Sequence, residues 1–320
     1  MSGAAISHEN AWRRLLRETG ELVAVARADY QQAESFAREF GARRWYRSLS
    51  EMLVDDQVDA IYLATPVDLH APMTLEAAAA CKHVLAEKPM ALDVAECESM
   101  IAACRSSSVQ LGVAYYRRFY PVVRRLKELL RDGTLGQPVV VQINAFERFD
   151  PAPGDPRRWF LDAKRSGGGP VFDFGCHRVE ILLYLLGPVR SVQSHLGTLL
   201  FERDVEDTGI AIIKFENGAR AVLTVTHAAA EPQDTLDIYG SNGSVHVPVL
   251  NKGEMSIVTR SETVRESHPP DHNLHRPLIE DFSRAVQEER EPEVNGSVGL
   301  EVAQVIADIY RNSPSWTSAN

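Results

Sequence analysis

The stretch AIYLATPVDLHAPMTLEAAAACKHVLAEKP (60–89) decides the fold class. AIYLAT (60–65) is a continuous apolar run too short for a helix, and HVLAEK (83–88) opens on a second such run. HAPMTLEAAAACK, between them, is rich in alanine, the strongest helix former. A strand apolar on both sides needs cover on both faces, and two such strands joined by a helix lie parallel in one sheet.

The same alternation extends in both directions. Upstream, ELVAVARA (21–28) reads as a buried strand and QQAESFAREFG as a helix ending at Gly41. A short strand at Arg44–Tyr46 follows, then a helix from Ser48, with Glu51 placed to complete a capping box. Downstream, 93–106 reads as a helix and LGVAY (111–115) as a strand. This is the pattern of a Rossmann-like α/β domain with a parallel sheet. Beyond Pro121 the style changes. A helix over about 121–132 ends at Gly133, and the strand VVVQINAF (139–146) leads to a Pro/Gly-rich loop and SGGGPVFDFGCH (166–177). A helix then runs to Gly187, and 189–249 reads as successive strands with turns at Asn217-Gly218 and Asn242-Gly243. Helices near 275–288 and 298–311 close the chain. Two domains are expected: 1–117, which carries the parallel sheet, and 118–320, an α/β unit with an antiparallel or mixed sheet and helices on one face.

Composition narrows the class of partner. Over 320 residues, 44% are hydrophobic and 24% charged, an ordinary globular balance, and the formal net charge is −10. That charge argues against nucleic acid or an anionic membrane as the main partner, though a phosphate-bearing cofactor needs only local positive charge and helix N-termini. The four cysteines show no paired metal-ligand spacing, so no metal is expected. His8, Glu9 and Asn10 interrupt any signal-like apolar core, and no run approaches ~20 apolar residues; the cytoplasm is the expected location.

In a doubly wound nucleotide fold the first strand feeds a glycine-rich turn, and the next helix holds the pyrophosphate at its N-terminus. HENAWRRLLRE has the apolar spacing of that helix, but only MSGAAIS stands before it. The first strand is therefore expected to be missing, with Gly3 and Ile6 as the remnant of the phosphate turn. Its loss would leave two neighbouring strand edges unpaired.

ATPVDLH (64–70), Glu87-Lys88-Pro89, YYRRFYP (115–121), SGGGPVFDFGCH, EDTGIAIIKFENG (206–218), DIYGSNGSV (237–245) and PLIEDFSRAV (277–286) stand in one order along the chain. In that order they resemble the glucose–fructose oxidoreductase/inositol dehydrogenase family, Gfo/Idh/MocA. The resemblance implies a Rossmann domain followed by a larger α/β domain, packed as a homodimer or homotetramer through the sheet of the second. It implies that Thr65, Pro66 and His70 pass beside the cofactor, with Glu87 and Lys88 beneath the nicotinamide. It further implies that Lys88, Asp173 and His177 surround the substrate hydroxyl, with His177 as acid/base, Asp173 orienting it and Lys88 polarising the oxygen. Hydride transfer from a secondary alcohol needs such a proton acceptor, and His or Lys suits it near neutral pH.

Some positions depart from the family pattern. Tyr116, with Arg117 and Arg118 beside it, stands where asparagine is frequent; these bulky and cationic groups would reshape the pocket or favour an acidic or phosphorylated substrate, and the alternative for Arg118 is a pairing with a carboxylate between domains. Trp159 would stack on a sugar ring or pack internally. Arg27 stands where an acid usually binds the ribose of NAD, which favours NADP over NAD. The expected activity is NAD(P)-dependent hydride transfer to or from a sugar, cyclitol or related polyol. The alternative is a relative without ordinary redox turnover that uses the pocket for binding or non-redox chemistry.

Overall fold

The computed structural model describes residues 20–314; Gly3 and Ile6 lie outside the described residues. By its internal contacts the chain forms two units: one runs to Tyr116 and regains Asn273–Ala303, and the other holds Arg117–His272 and the chain from Gln304 onward.

In the first unit, β1 (Ala24–Ala26) pairs in parallel with β2 (Arg44–Tyr46). Separately, β3 (Ala60–Leu63), β4 (His83–Ala86) and β5 (Leu111–Val113) form a parallel three-stranded sheet in that order. The strand expected over 21–28 is thus only three residues long. Among the described residues β1 pairs only with β2 and β3 only with β4, so each keeps one open edge. A cavity of about 460 Å³ is lined by both strands and by Ile279, Phe282 and Val286.

Local chemistry sets the helix starts. Asp29 caps the helix Tyr30–Phe40, accepting from Gln31 N (3.0 Å), Gln32 N (3.1 Å) and the Gln32 side chain (2.8 Å). Ser48 caps Leu49–Leu53, its Oγ accepting from Glu51 N at 3.2 Å, while the Glu51 carboxylate accepts from Arg47 N at 2.9 Å. The anticipated box therefore forms, with its return bond one residue early. The segment Asn273–Ala303 completes the unit: the Phe282 ring covers the backbone of Gly112, where a Cβ would lie 2.8 Å from Phe282 Cδ2, and Val113 N donates to Val294 O at 2.9 Å.

The second unit is built on an eight-stranded sheet. Its strands are β6 (Pro138–Arg148), β7 (Val189–Gly197), β8 (Thr208–Phe215), β9 (Arg220–Thr226), β10 (Ala228–Gly240), β11 (Gly243–Val247), β12 (Glu254–Thr259) and β13 (Thr263–Ser267), in the order β13-β12-β11-β10-β6-β9-β8-β7. Only β6 and β9 pair in parallel, with Ile143 opposite Leu223; the other pairs are antiparallel. The two Asn-Gly turns join β8 to β9 and β10 to β11, as their sequence demands. The large sheet is therefore mixed, as expected.

Candidate active site

In the first unit the site residues stand where β3, β4 and β5 end. Glu87 follows β4 directly, and its N–H donates to Leu63 O at 2.8 Å. Its carboxylate is buried, accepts from the Tyr62 hydroxyl and from Lys88 N at 3.1 Å, and lies 3.7 Å from His275 Nε2. Burial, and then the charge of Glu87, hold the Tyr62 phenol well above its ordinary pKa, so Tyr62 stays a donor. His275 in turn lies against Tyr116, with ring centroids 4.2 Å apart. Glu87 is thereby fixed from several sides, and Lys88 leaves the strand from an anchored backbone; the Lys88–Pro89 peptide is cis.

His70 is fully buried, its Nδ1 2.9 Å from Pro89 O and its Nε2 3.0 Å from Thr65 O. It ties the turn after β3 to the turn after β4. Burial pushes its pKa down, against the pull of those carbonyls and of Glu87. Thr65 Oγ1, at the end of β3, is buried with no hydrogen-bond partner among the described residues. A buried hydroxyl left open at a strand end suits a ligand passing there. At the end of β1, Arg27 is half-buried and bonded through its backbone to Tyr46 O at 3.1 Å.

In the second unit, Asp173 sits in a π-helical turn, Val171–Gly175, and His177 is the second residue of the helix Cys176–Leu186. The glycines ahead of them are a matter of packing: a Cβ on Gly169 would meet the backbone oxygen of Glu206 at 2.0 Å. The buried Glu206 carboxylate accepts from Gly169 N (2.8 Å) and Val171 N (3.0 Å), pinning the turn that carries Asp173. Burial raises the pKa of Glu206, and those bonds oppose the rise.

The arginines near the start of the unit have internal partners. Arg118 Nε donates to the buried Glu180 at 2.5 Å, and its guanidinium lies over the Tyr184 ring at 4.8 Å. Arg117 and Arg178 both grip Asp234; burial raises that carboxyl, but the two guanidinium groups outweigh it and hold the pKa below the usual range. Trp159 is half-buried and stacked on Phe160, with centroids 3.9 Å apart.

Sequence reasoning passed over Glu147 and His227, which the fold brings to Asp173. The ligating atoms of Glu147, Asp173 and His227 lie within 4.8 Å of one another. They come from the end of β6, from the π-helical turn and from the residue after β9, so no spacing in the sequence links them. Likewise, only the return of Asn273–Ala303 to the first unit places His275 beside Glu87.

Residues 2–115 match the oxidoreductase family with an NAD-binding Rossmann fold, and residues 123–246 match the GFO/IDH/MocA C-terminal domain. The chain is 26% identical over 286 residues to the 1,5-anhydro-D-fructose reductase of Ensifer adhaerens, covering 88% of this chain and 85% of that one. It is 32% identical over 250 residues to the trans-1,2-dihydrobenzene-1,2-diol dehydrogenase of Danio rerio, covering 77% and 72%. Among solved structures, the WlbA dehydrogenase of Bordetella pertussis, in complex with NADH and UDP-GlcNAcA, superposes with a TM-score of 0.81 at 27% identity, covering 92% of this chain and 88% of that one. With both halves matched in order, the chain belongs to the Gfo/Idh/MocA family of oxidoreductases.

Proposed function

We propose that the chain transfers hydride between a nicotinamide cofactor and a secondary alcohol or ketone of a sugar, cyclitol or related polyol. The observation that carries this reading is the anchored end of β4, where a buried, multiply held Glu87 presents Lys88. The residues present suit the cofactor: Thr65 offers an open buried hydroxyl at a strand end, and Pro66, Glu87 and Lys88 stand at the same end of the sheet. When bound, the nicotinamide supplies or accepts the hydride. His70 shapes the cofactor's surroundings by tying the two turns together, since both of its ring nitrogens already face carbonyl oxygens.

The first unit contributes the Lys88 ammonium, which polarises the substrate oxygen. The second contributes His177, which takes the hydroxyl proton on oxidation and returns it on reduction, and Asp173, which orients that imidazole. Tyr116, Arg118 and Trp159 belong to the same reading as substrate-binding residues. NADP is favoured over NAD because Arg27 directly follows β1, while both oxygens of the nearby Asp29 are engaged at the start of a helix. Relatives named for a sugar reductase and a diol dehydrogenase agree with the substrate class.

A homodimer or homotetramer, packed through the outer face of the large sheet, belongs to the same reading. So does a cytoplasmic location, in keeping with four cysteines outside any disulfide, three of them buried. No helix among the described residues is long and apolar enough to cross a membrane.

Fluorescence titration of the chain with NADPH and NADH tests the cofactor; no binding of either at millimolar concentration would overturn redox catalysis. Lys88→Ala and His177→Ala should each lower kcat by about 10²–10⁴-fold, with far-UV circular dichroism unchanged. Full activity in both would refute the assignment.

A further inference from the structure

His227 is held through its backbone, its ring faces and its Nδ1. The residue is 1% exposed, its N–H donates to Asp207 O at 2.8 Å, and its carbonyl accepts from Phe149 N at 2.9 Å. The imidazole lies between the rings of Phe149 and Phe174, with centroids 5.0 Å and 5.1 Å away. Its Nδ1 is 3.1 Å from Arg203 Nη2, and Arg203 is itself pinned by donating to the carbonyls of Phe149 (3.1 Å) and Glu206 (2.9 Å).

A guanidinium has no lone pair to offer, so Nδ1 must be the acceptor, and the proton of the neutral ring sits on Nε2. Burial pushes the pKa of His227 down to about 4, against the raising effect of Asp173, which keeps the ring neutral under ordinary conditions. The Nε2–H is buried without a hydrogen-bond partner, 3.5 Å from Glu147 Oε1, and Glu147 opens to solvent with its side chain 47% exposed. With the three ligating atoms within 4.8 Å of one another, one point lies no more than about 2.8 Å from all three, a hydrogen-bonding distance.

We propose that His227, Glu147 and Asp173 form a subsite for a single hydroxyl oxygen, with the His227 Nε2–H as its fixed donor. The inference rests on reading the second unit as the polyol-binding part, and it names which polar group of the ligand that part holds. A hydroxyl oxygen accepts from Nε2–H and gives its own hydrogen to one of the carboxylates. A carboxylate or phosphate oxygen has no hydrogen to give and brings a third negative charge. An ammonium group donates to the acids but cannot accept from Nε2–H. A divalent ion needs the Nε2 lone pair, which moves the ring proton to Nδ1, into the N–H of Arg203. The set therefore selects a neutral hydroxylated ligand over its acid counterpart.

The test uses the full chain with NADPH in excess. Histidine ¹⁵N spectra should show His227 protonated at Nε2 and bare at Nδ1 from pH 8 to 5.5. Erythritol should shift those signals saturably and erythronate should not, with calorimetry reporting the affinity. His227→Phe, which keeps an aromatic ring between Phe149 and Phe174, should weaken erythritol binding by about tenfold or more. His227→Gln, which restores an N–H near the Nε2 position, should recover most of the loss. A proton on Nδ1, absence of erythritol binding, erythronate binding as tightly as erythritol, or one Zn²⁺ bound at micromolar concentration would each overturn the proposal. None of these readouts needs turnover. An inactive enzyme that passes them sinks the redox reading alone, and an active one that fails them sinks the subsite alone.

Discussion

Between about pH 6.5 and pH 4, His227 makes folding pH-dependent in a calculable direction. An unfolded histidine titrates near 6.5, whereas the folded value is lowered to about 4 by burial. Across that window the unfolded chain binds more protons, so stability falls as pH falls, by at most about 1.4 kcal/mol per pH unit. His70 acts in the same direction through its own burial. Urea midpoints of the wild type and of His227→Phe isolate the contribution: the variant should lose less stability on acidification from pH 6.5 to 4. Equal slopes would mean that the imidazole is charged in the folded chain. Individual residues differed in how visible they were in the sequence. Lys88 stands out because Glu-Lys-Pro follows a strand, and Asp173 and His177 because a four-residue spacing opens a helix. His227 sits alone in THAAAEPQD, and its partners Glu147, Asp173 and Arg203 are brought to it by three other segments. Nothing local marks it.

At the scale of the element, the turn Val171–Gly175 depends on the close approach of Gly169 to Glu206. A methyl group at Gly169 would lie 2.0 Å from a backbone oxygen, which cannot swing aside as a side chain can. Gly169→Ala should therefore cost about 2–4 kcal/mol, seen as a lower urea midpoint, and should disturb Asp173 with it. An unchanged midpoint would mean that the turn is looser than its geometry. Three consecutive glycines, 167–169, mark the place in the sequence, but nothing near them marks the carboxylate on which they close. Helices were legible because caps and periodicity are local: Asp29, Ser48 and Pro121 each stand at a start. Hairpins were legible through Asn-Gly. The parallel pairing of β6 with β9 was not, because the two strands are far apart in sequence and alternation alone sets no partner. β1 was over-read at both ends; a strand paired on one side only has less to hold its termini extended.

For the whole molecule, the outer face of the large sheet bears on assembly. On β8, Ala211 and Ile213 point into the core, while Ile210 and Ile212 are 43% and 47% exposed, opposite Thr224 and Val222 of β9. An apolar pair on the exposed face of the large sheet, one strand in from its β7 edge, suits burial against a second copy. Ile212→Lys should lower the mass seen by light scattering after size exclusion, and an unchanged oligomer would place the interface elsewhere. The return of Asn273–Ala303 to the first unit has a different consequence, for the order in which the protein is made. During synthesis β5 emerges early, but Phe282, which covers Gly112, and Val294, which bonds Val113, follow more than 160 residues later. The second unit also waits for residues 309–313, since Ser194 Oγ donates to Ile309 O at 2.5 Å and Leu196 N to Ser313 Oγ at 2.9 Å. Neither unit can be sealed on the ribosome ahead of the other. A nascent chain stalled anywhere before the final helix, Gly296–Arg311, exposes two unfinished cores at once and is the form most in need of a chaperone.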